Sequence, residues 1–205
     1  MKKRIRKIAA LSLTAILAVS MLGACGKQEE EVTKVSSVKA PISVVEEPVD
    51  EHPGQTRSAL TGEWISDELA AQRPLAVMES NNKSSLPQYG LSQADVIYEA
   101  TMEGEETRFM LVIQDWQDIP MLMPIRSCRQ YFLYWALGVD AIYVHYGQAY
   151  LALEDLAKDD VYNLNGMDGD LANVTFFRDT SRKAPQNAYA TGESVMAGVN
   201  LKGYS

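Results

Sequence analysis

An alternating run from Asp95 to Asp115, DVIYEATMEGEETRFMLVIQD, does most to limit what this chain can become. Val96, Tyr98, Ala100 and Met102 recur with period two and turn to one face of a strand, while Asp95, Ile97, Glu99, Thr101 and Glu103 turn to the other. The spacing predicts two strands, about 95–103 and 107–114, joined by a turn around Gly104-Glu105-Glu106. Such a hairpin fixes an antiparallel pair in whatever sheet the rest of the chain builds. If the turn has two residues, Glu103 lies opposite Arg108 as a cross-strand ion pair. Glu99 and Glu103 then stand ~13 Å apart at ~3.3 Å per residue. That separation is too wide for a carboxylate pair flanking one glycosidic bond.

The remaining elements complete an α+β reading. Leu75–Met78 follows Arg73-Pro74 as a strand, and Asn81–Ser85 forms a loop. Met121–Ile125 is a further short strand, and Ser127 is placed to cap a helix through Tyr131, Leu133, Tyr134, Trp135 and Leu137 that Gly138 ends. DAIYVHYG returns as a strand, with Ile142, Val144 and Tyr146 on one face and Tyr143 and His145 on the other. Beyond it come a helix in AYLALEDLAKDD, a strand in VYNL, a strand near Phe176–Arg178, and a helix ESVMAGVNL capped by Thr191. The strand, helix, strand order predicts a mixed sheet with a crossover. The abrupt ending at Lys202-Gly203-Tyr204-Ser205 predicts that the domain is incomplete at its C-terminus.

The N-terminus carries a different message. Five Lys and Arg precede an apolar run from about Ile8 to Leu22, too short to be a spanning helix and matching a secretory signal. Leu22-Gly23-Ala24-Cys25 resembles the lipobox of bacterial lipoproteins, which implies cleavage before Cys25 and lipidation of its thiol. More than one acyl chain gives stable anchoring, so the expected location is the outer face of the cytoplasmic membrane. Residues 1–24 hold five of the 19 basic residues and none of the 27 acidic ones, which leaves 14 against 27 and a formal charge of −13. A surface of that sign disfavours nucleic acid. With Cys25 modified, Cys128 is alone and no internal disulfide forms. Residues 25–59, rich in Glu, Ser, Val, Lys and Pro, predict a disordered tether, and 60–205 one folded domain.

RPLAVMESNN, then LPQYGLSQADVIYEATMEGEETRFMLVIQ, then PIRSCRQYFLYWALGVDAIYVHYGQ resemble, in that order, the N-terminal domain of the YerB-like lipoproteins. The likeness runs from about Leu60 to the end of the chain. It implies an extracytoplasmic lipoprotein of Gram-positive type, an α/β fold of mixed β-sheets packed with helices in layers, no established reaction, and a second, smaller domain following this one. Two positions depart from the family: Cys128 stands where alanine is usual, and Gln186 where histidine is usual.

The site candidates are mainly cationic. Arg126 and Arg129 stand at a predicted helix start, where the backbone already carries partial positive charge. They either bind an external phosphate or carboxylate, or pair internally with Glu99, Glu103 or Asp95. Arg108 and Arg178 are candidates for the same cluster, which Arg182 and Lys183 could extend. Cys128 with His145 forms a conceivable nucleophile and base. Tyr89, Tyr131, Tyr143 and Tyr146 either line a sugar cleft or belong to the core. With His52 and His145 as the mature chain's histidines, no metal site and no cofactor are expected. The favoured function is a membrane-tethered module binding an anionic envelope ligand or a partner protein. The alternative is an enzyme on cell-wall or surface polymer that uses Arg126 and Arg129 with Glu99 or Glu103.

Overall fold

The computed structural model describes residues 51–204. They begin with a hairpin of β1 (Gln55–Arg57) and β2 (Trp64–Ser66) followed by the short helix α1 (Asp67–Ala71). The predicted tether therefore ends sooner than residue 59: the Trp64 ring is stacked on His52 at 3.9 Å and overlain by the Arg57 guanidinium at 4.1 Å, which orders this stretch. The signal segment, Cys25 and the rest of the tether lie outside the described residues.

A mixed sheet follows, built from β3 (Leu75–Asn81), β4 (Val96–Thr101), β5 (Thr107–Ile113), β6 (Ile142–His145) and β7 (Asn163–Asn165). Its spatial order is β4-β5-β3-β6-β7, antiparallel across β4, β5 and β3 and parallel across β3, β6 and β7. Alternation sorts its side chains into two cores. Ala76, Met78, Met110, Val112 and Tyr143 pack under helix α2 (Gln130–Gly138), which contributes Phe132, Leu133 and Ala136. Leu75, Val77, Leu111, Ile113, Ile142 and Val144 face the other way, toward Trp116, Ile119, Leu122 and the C-terminal helix. Residues buried on both sides mark β3 as the centre of the fold; truncating the fully buried Phe132 of α2 costs about 3–5 kcal/mol.

The rest is short: helix α3 (Leu153–Leu156), the pair β8 (Phe177–Arg178) and β9 (Ala188–Tyr189), and helix α4 (Gly192–Lys202). Thr191 caps α4 as its sequence predicts, accepting from the Ser194 N–H at 3.0 Å while the Ser194 hydroxyl accepts from the Thr191 N–H. AYLALEDLAKDD yields only a 3-10 turn and a single helical turn, Leu153–Leu156.

Three local predictions differ. Met121–Ile125 is not a regular strand but makes isolated bridges through Leu122, Met123 and Ile125 to Ala190, Tyr89 and Glu79. The β4–β5 connection is longer than two residues, because Glu103–Glu105 forms a 3-10 turn with Gly104 and Glu105 at φ 82° and 62°. Thr101 consequently faces Thr107 and Ala100 faces Arg108, so Glu103 is not the cross-strand partner of Arg108. Ser127 does not cap α2; its hydroxyl donates to the Tyr146 carbonyl at 2.9 Å, and Arg129 takes the cap position.

Candidate functional site

At the carboxyl end of β3 and β6 the two parallel strands separate, and the segment from Ile125 to Cys128 enters between them. Pairing of β3 with β6 ends at Val77 and Val144. Beyond that point the Arg126 N–H donates to Met78 O at 2.8 Å and Arg126 O accepts from the Tyr146 N–H at 2.9 Å. Cys128 N–H then bonds Gly147 O at 2.9 Å. The main chain of Arg126 is thus pinned on both sides at a position where open α/β sheets commonly bind ligands. Its side chain is a different matter. Among the described residues the Arg126 guanidinium has no hydrogen bond and no ion pair, although its Nη1 is buried.

Three more arginines surround it. Arg108 rises from β5, 3% exposed, and donates through Nη1 to the Ser127 carbonyl, while its buried Nε has no partner among the described residues. Arg129 is held by the carboxylate of Glu103, with Nε 3.0 Å from each oxygen and Nη2 2.7 Å from Oε2; its Nη1 donates to Cys128 O at 3.0 Å. Arg178 lies over the Tyr146 ring at 4.4 Å and donates to Asn187 Oδ1 at 2.8 Å.

The electrostatics are those of like charges kept close. Burial, then the charges of Arg129 and Arg126, lowers the Arg108 pKa to about 10, which still leaves it charged at neutral pH. Burial also lowers Arg126, with the neighbouring Glu106 acting against the repulsion of Arg129 and Arg178. Glu103 is held below the usual carboxylate range, chiefly by its hydrogen bonds to Arg129. Glu106 is a site member that sequence reasoning missed, and Tyr146, read there as lining a sugar cleft or as core, instead carries the Arg178 guanidinium on its ring. The acidic run Glu103-Gly104-Glu105-Glu106 was the available signal, but only the folded turn brings it to the arginines.

Other predicted site residues lie elsewhere. Glu99 faces Phe109 on the α4 side of the sheet, whereas Arg108 faces the α2 side. The Glu99 carboxylate accepts from Asn81 Nδ2 at 2.9 Å and Thr107 Oγ1 at 2.6 Å, and no arginine bonds it. Cys128 and His145 form no dyad. The Cys128 thiol is buried and donates to Arg129 O at 3.4 Å, and burial pushes its pKa up to about 11. The His145 ring contacts Gly147 O at 2.8 Å and Asn163 Oδ1 at 3.2 Å, and burial lowers its pKa. Tyr143 is core, Tyr131 lies against Phe132 and Trp135, and Tyr89 is exposed, so the tyrosines line no common cleft. Arg182 clamps the carbonyls of Ser85 and Pro87 at 2.6 and 2.9 Å instead of joining the cluster. Gln186 is buried, and its Oε1 has no partner among the described residues. Among the described residues no three His, Cys, Asp or Glu side chains gather to hold a metal, and no helix is long and apolar enough to cross a membrane.

Fold and site together define an α+β domain whose mixed sheet carries an arginine cluster at its open end. Residues 60–205 match the family described as protein of unknown function (DUF3048), N-terminal domain, and the chain belongs to that family. Over 148 residues it is 34% identical to "Putative lipoprotein YerB" of Bacillus subtilis (strain 168), a match covering 72% of this chain and 44% of that protein. A crystal structure of YerB protein from Bacillus subtilis has the same fold, with a TM-score of 0.66 and 34% identity over 73% of this chain and 51% of that one. The chain spans about half the length of these relatives. The YerB-like resemblance and the layered α+β fold drawn from the sequence both hold.

Proposed function

We propose that this domain is an extracytoplasmic binding module, held at the membrane by lipid on Cys25, whose arginine cluster takes an anionic envelope ligand or an acidic partner. The observation that carries this reading is the guanidinium of Arg126: a charged side chain with a buried Nη1 and, among the described residues, no partner. A buried donor left unmade costs about 1–3 kcal/mol, more when charged. An anion that supplies the missing acceptor recovers that cost. Arg108 adds a second unpartnered donor, and the first turn of α2 adds backbone N–H groups with no side-chain cap. Relationship to a protein named as a lipoprotein supports the anchored location.

Thermal melting tests this. Purified protein is melted in chloride and then in phosphate or wall-derived anionic polymer at matched ionic strength, alongside Arg126→Ala. A ligand at a hundred times its Kd stabilises by about 2.7 kcal/mol, or roughly 5–11 °C for a domain of this size. The wild type is expected to gain and Arg126→Ala is not. Equal response, or none in either protein, refutes the proposal.

A further inference from the structure

The group that already sits on the cluster identifies the kind of ligand it accepts. Glu103 gives Arg129 a two-oxygen carboxylate in the fork geometry that arginine also offers to phosphate. Yet the Glu103 side chain is 71% exposed, against 17% for Arg129. Arg129 is held in place independently by its bond to Cys128 O. The carboxylate can therefore leave into water at little cost to itself, while the largely buried arginine stays aimed at the same point and is left needing an anion. Glu103 is delivered by the turn whose tip, Gly104 and Glu105, is left-handed and whose residues 103–106 are all exposed, so no core packing resists its displacement. The same turn brings Glu106 close enough for its charge to act on Arg126, and among the described residues its carboxylate is tied only at 3.4 Å to Asn82.

Charge points the same way. Four guanidiniums, Arg108, Arg126, Arg129 and Arg178, meet two carboxylates, Glu103 and Glu106, leaving two positive charges unmatched, and three once Glu103 is displaced. A carboxylate ligand neutralises one of them; a phosphate group near pH 7 carries close to two negative charges and several acceptor oxygens. We infer that the site takes a phosphate group, which seats between Arg126 and Arg129 by displacing the Glu103 carboxylate, a built-in stand-in for the ligand. This rests on the reading of the arginine cluster as an anion site. Whether the phosphate ends a polymer, caps a lipid headgroup or belongs to a free metabolite, the shared chemistry is a phosphate monoester or free phosphate, since a phosphodiester carries only one negative charge.

Calorimetric titration of the purified protein with inorganic phosphate, and separately with acetate at equal ionic strength, tests the inference in wild type, Glu103→Gln, Glu105→Gln and Arg126→Ala. Removing an exposed competing ion pair should tighten phosphate two- to fivefold in Glu103→Gln. Glu105→Gln makes the same change of net charge on a residue that touches no arginine, and should leave affinity unchanged. Arg126→Ala should lose binding, and acetate should bind wild type at least tenfold more weakly than phosphate. Unchanged or weaker phosphate affinity in Glu103→Gln overturns the displacement while leaving the anion site standing, as does equal tightening in Glu105→Gln. Equal affinity for acetate overturns the assignment to phosphate. Absence of binding in wild type and Glu103→Gln alike refutes the anion site itself.

Discussion

Replacing Glu79 with glutamine should make this protein's stability less dependent on pH. Glu79 lies in β3, the central strand, is fully buried, and among the described residues has no hydrogen-bond partner for either carboxylate oxygen. It sits where the Tyr89–Leu91 segment crosses the sheet, 3.4 Å from the place a Cβ on Gly90 would occupy. Burial raises its pKa well above the ordinary 4.5, opposed only by the nearby Met123 backbone N–H. Folding therefore keeps a proton on Glu79 that the unfolded chain releases above its ordinary value. The stabilisation linked to that proton is complete below the unfolded pKa and is lost as pH rises toward the folded one. In that window the loss is about 1.4 kcal/mol per pH unit, or roughly 3–6 °C of Tm for a domain of this size. Glutamine has nearly the same shape and does not titrate. Melting curves from pH 5 to 7 should show Glu79→Gln close to wild type at the acid end and progressively more stable above it. Contributions from His145 and the surface carboxylates cancel in the difference between the two proteins. A constant Tm gap across that range, or a variant that loses stability as pH rises, refutes a neutral buried acid at this position.

Two further predictions concern backbone contact and thiol chemistry. A Cβ on Gly192 would lie 2.2 Å from the carbonyl oxygens of Trp116 and Gln117, so Gly192→Ala should destabilise by about 2 kcal/mol or more in a denaturant melt, whereas a neutral result would mean that α4 shifts freely. With Cys128 buried and its pKa near 11, alkylation at pH 8, followed by mass spectrometry of the Cys128 peptide, should be at least about a hundredfold slower in the native protein than in denaturant; comparable rates would contradict the buried assignment.

What could be read from the sequence was whatever local periodicity controls. The β4 and β5 strands follow from strict alternation, and α4 from Thr191 and the residues after it. Failures cluster where long-range contacts decide. The β4–β5 turn looks short in sequence, but Glu105 adopts a left-handed conformation beside Gly104, which moves Glu103 out of the ladder and onto Arg129, 26 residues away. Ser127 looks like a helix cap, yet the segment around it stays extended because β3 and β6 both bond the Arg126 backbone there. Glu79 resembles the polar end of a short strand in LAVMESNN; only the overlying Tyr89–Leu91 and Leu122–Ile125 segments bury it. Arg126 and Arg129 were visible as an unusual pair at a helix start. That Arg129 has an internal carboxylate and Arg126, among the described residues, has none was not, since it depends on the geometry of a distant turn.

The most direct measurement of the central claim is of the arginine side chains themselves. In a nitrogen-15 labelled sample the Nε–H resonances of Arg108, Arg126 and Arg129, assigned with Arg-to-Lys variants, are followed while phosphate is added at constant ionic strength. The anion site predicts saturable shifts with one common Kd at Arg108, Arg126 and Arg129, with Arg57 and Arg182 unmoved. Small, linear and uniform shifts at all arginines, with the Arg129 signal still that of its pair with Glu103, would contradict it.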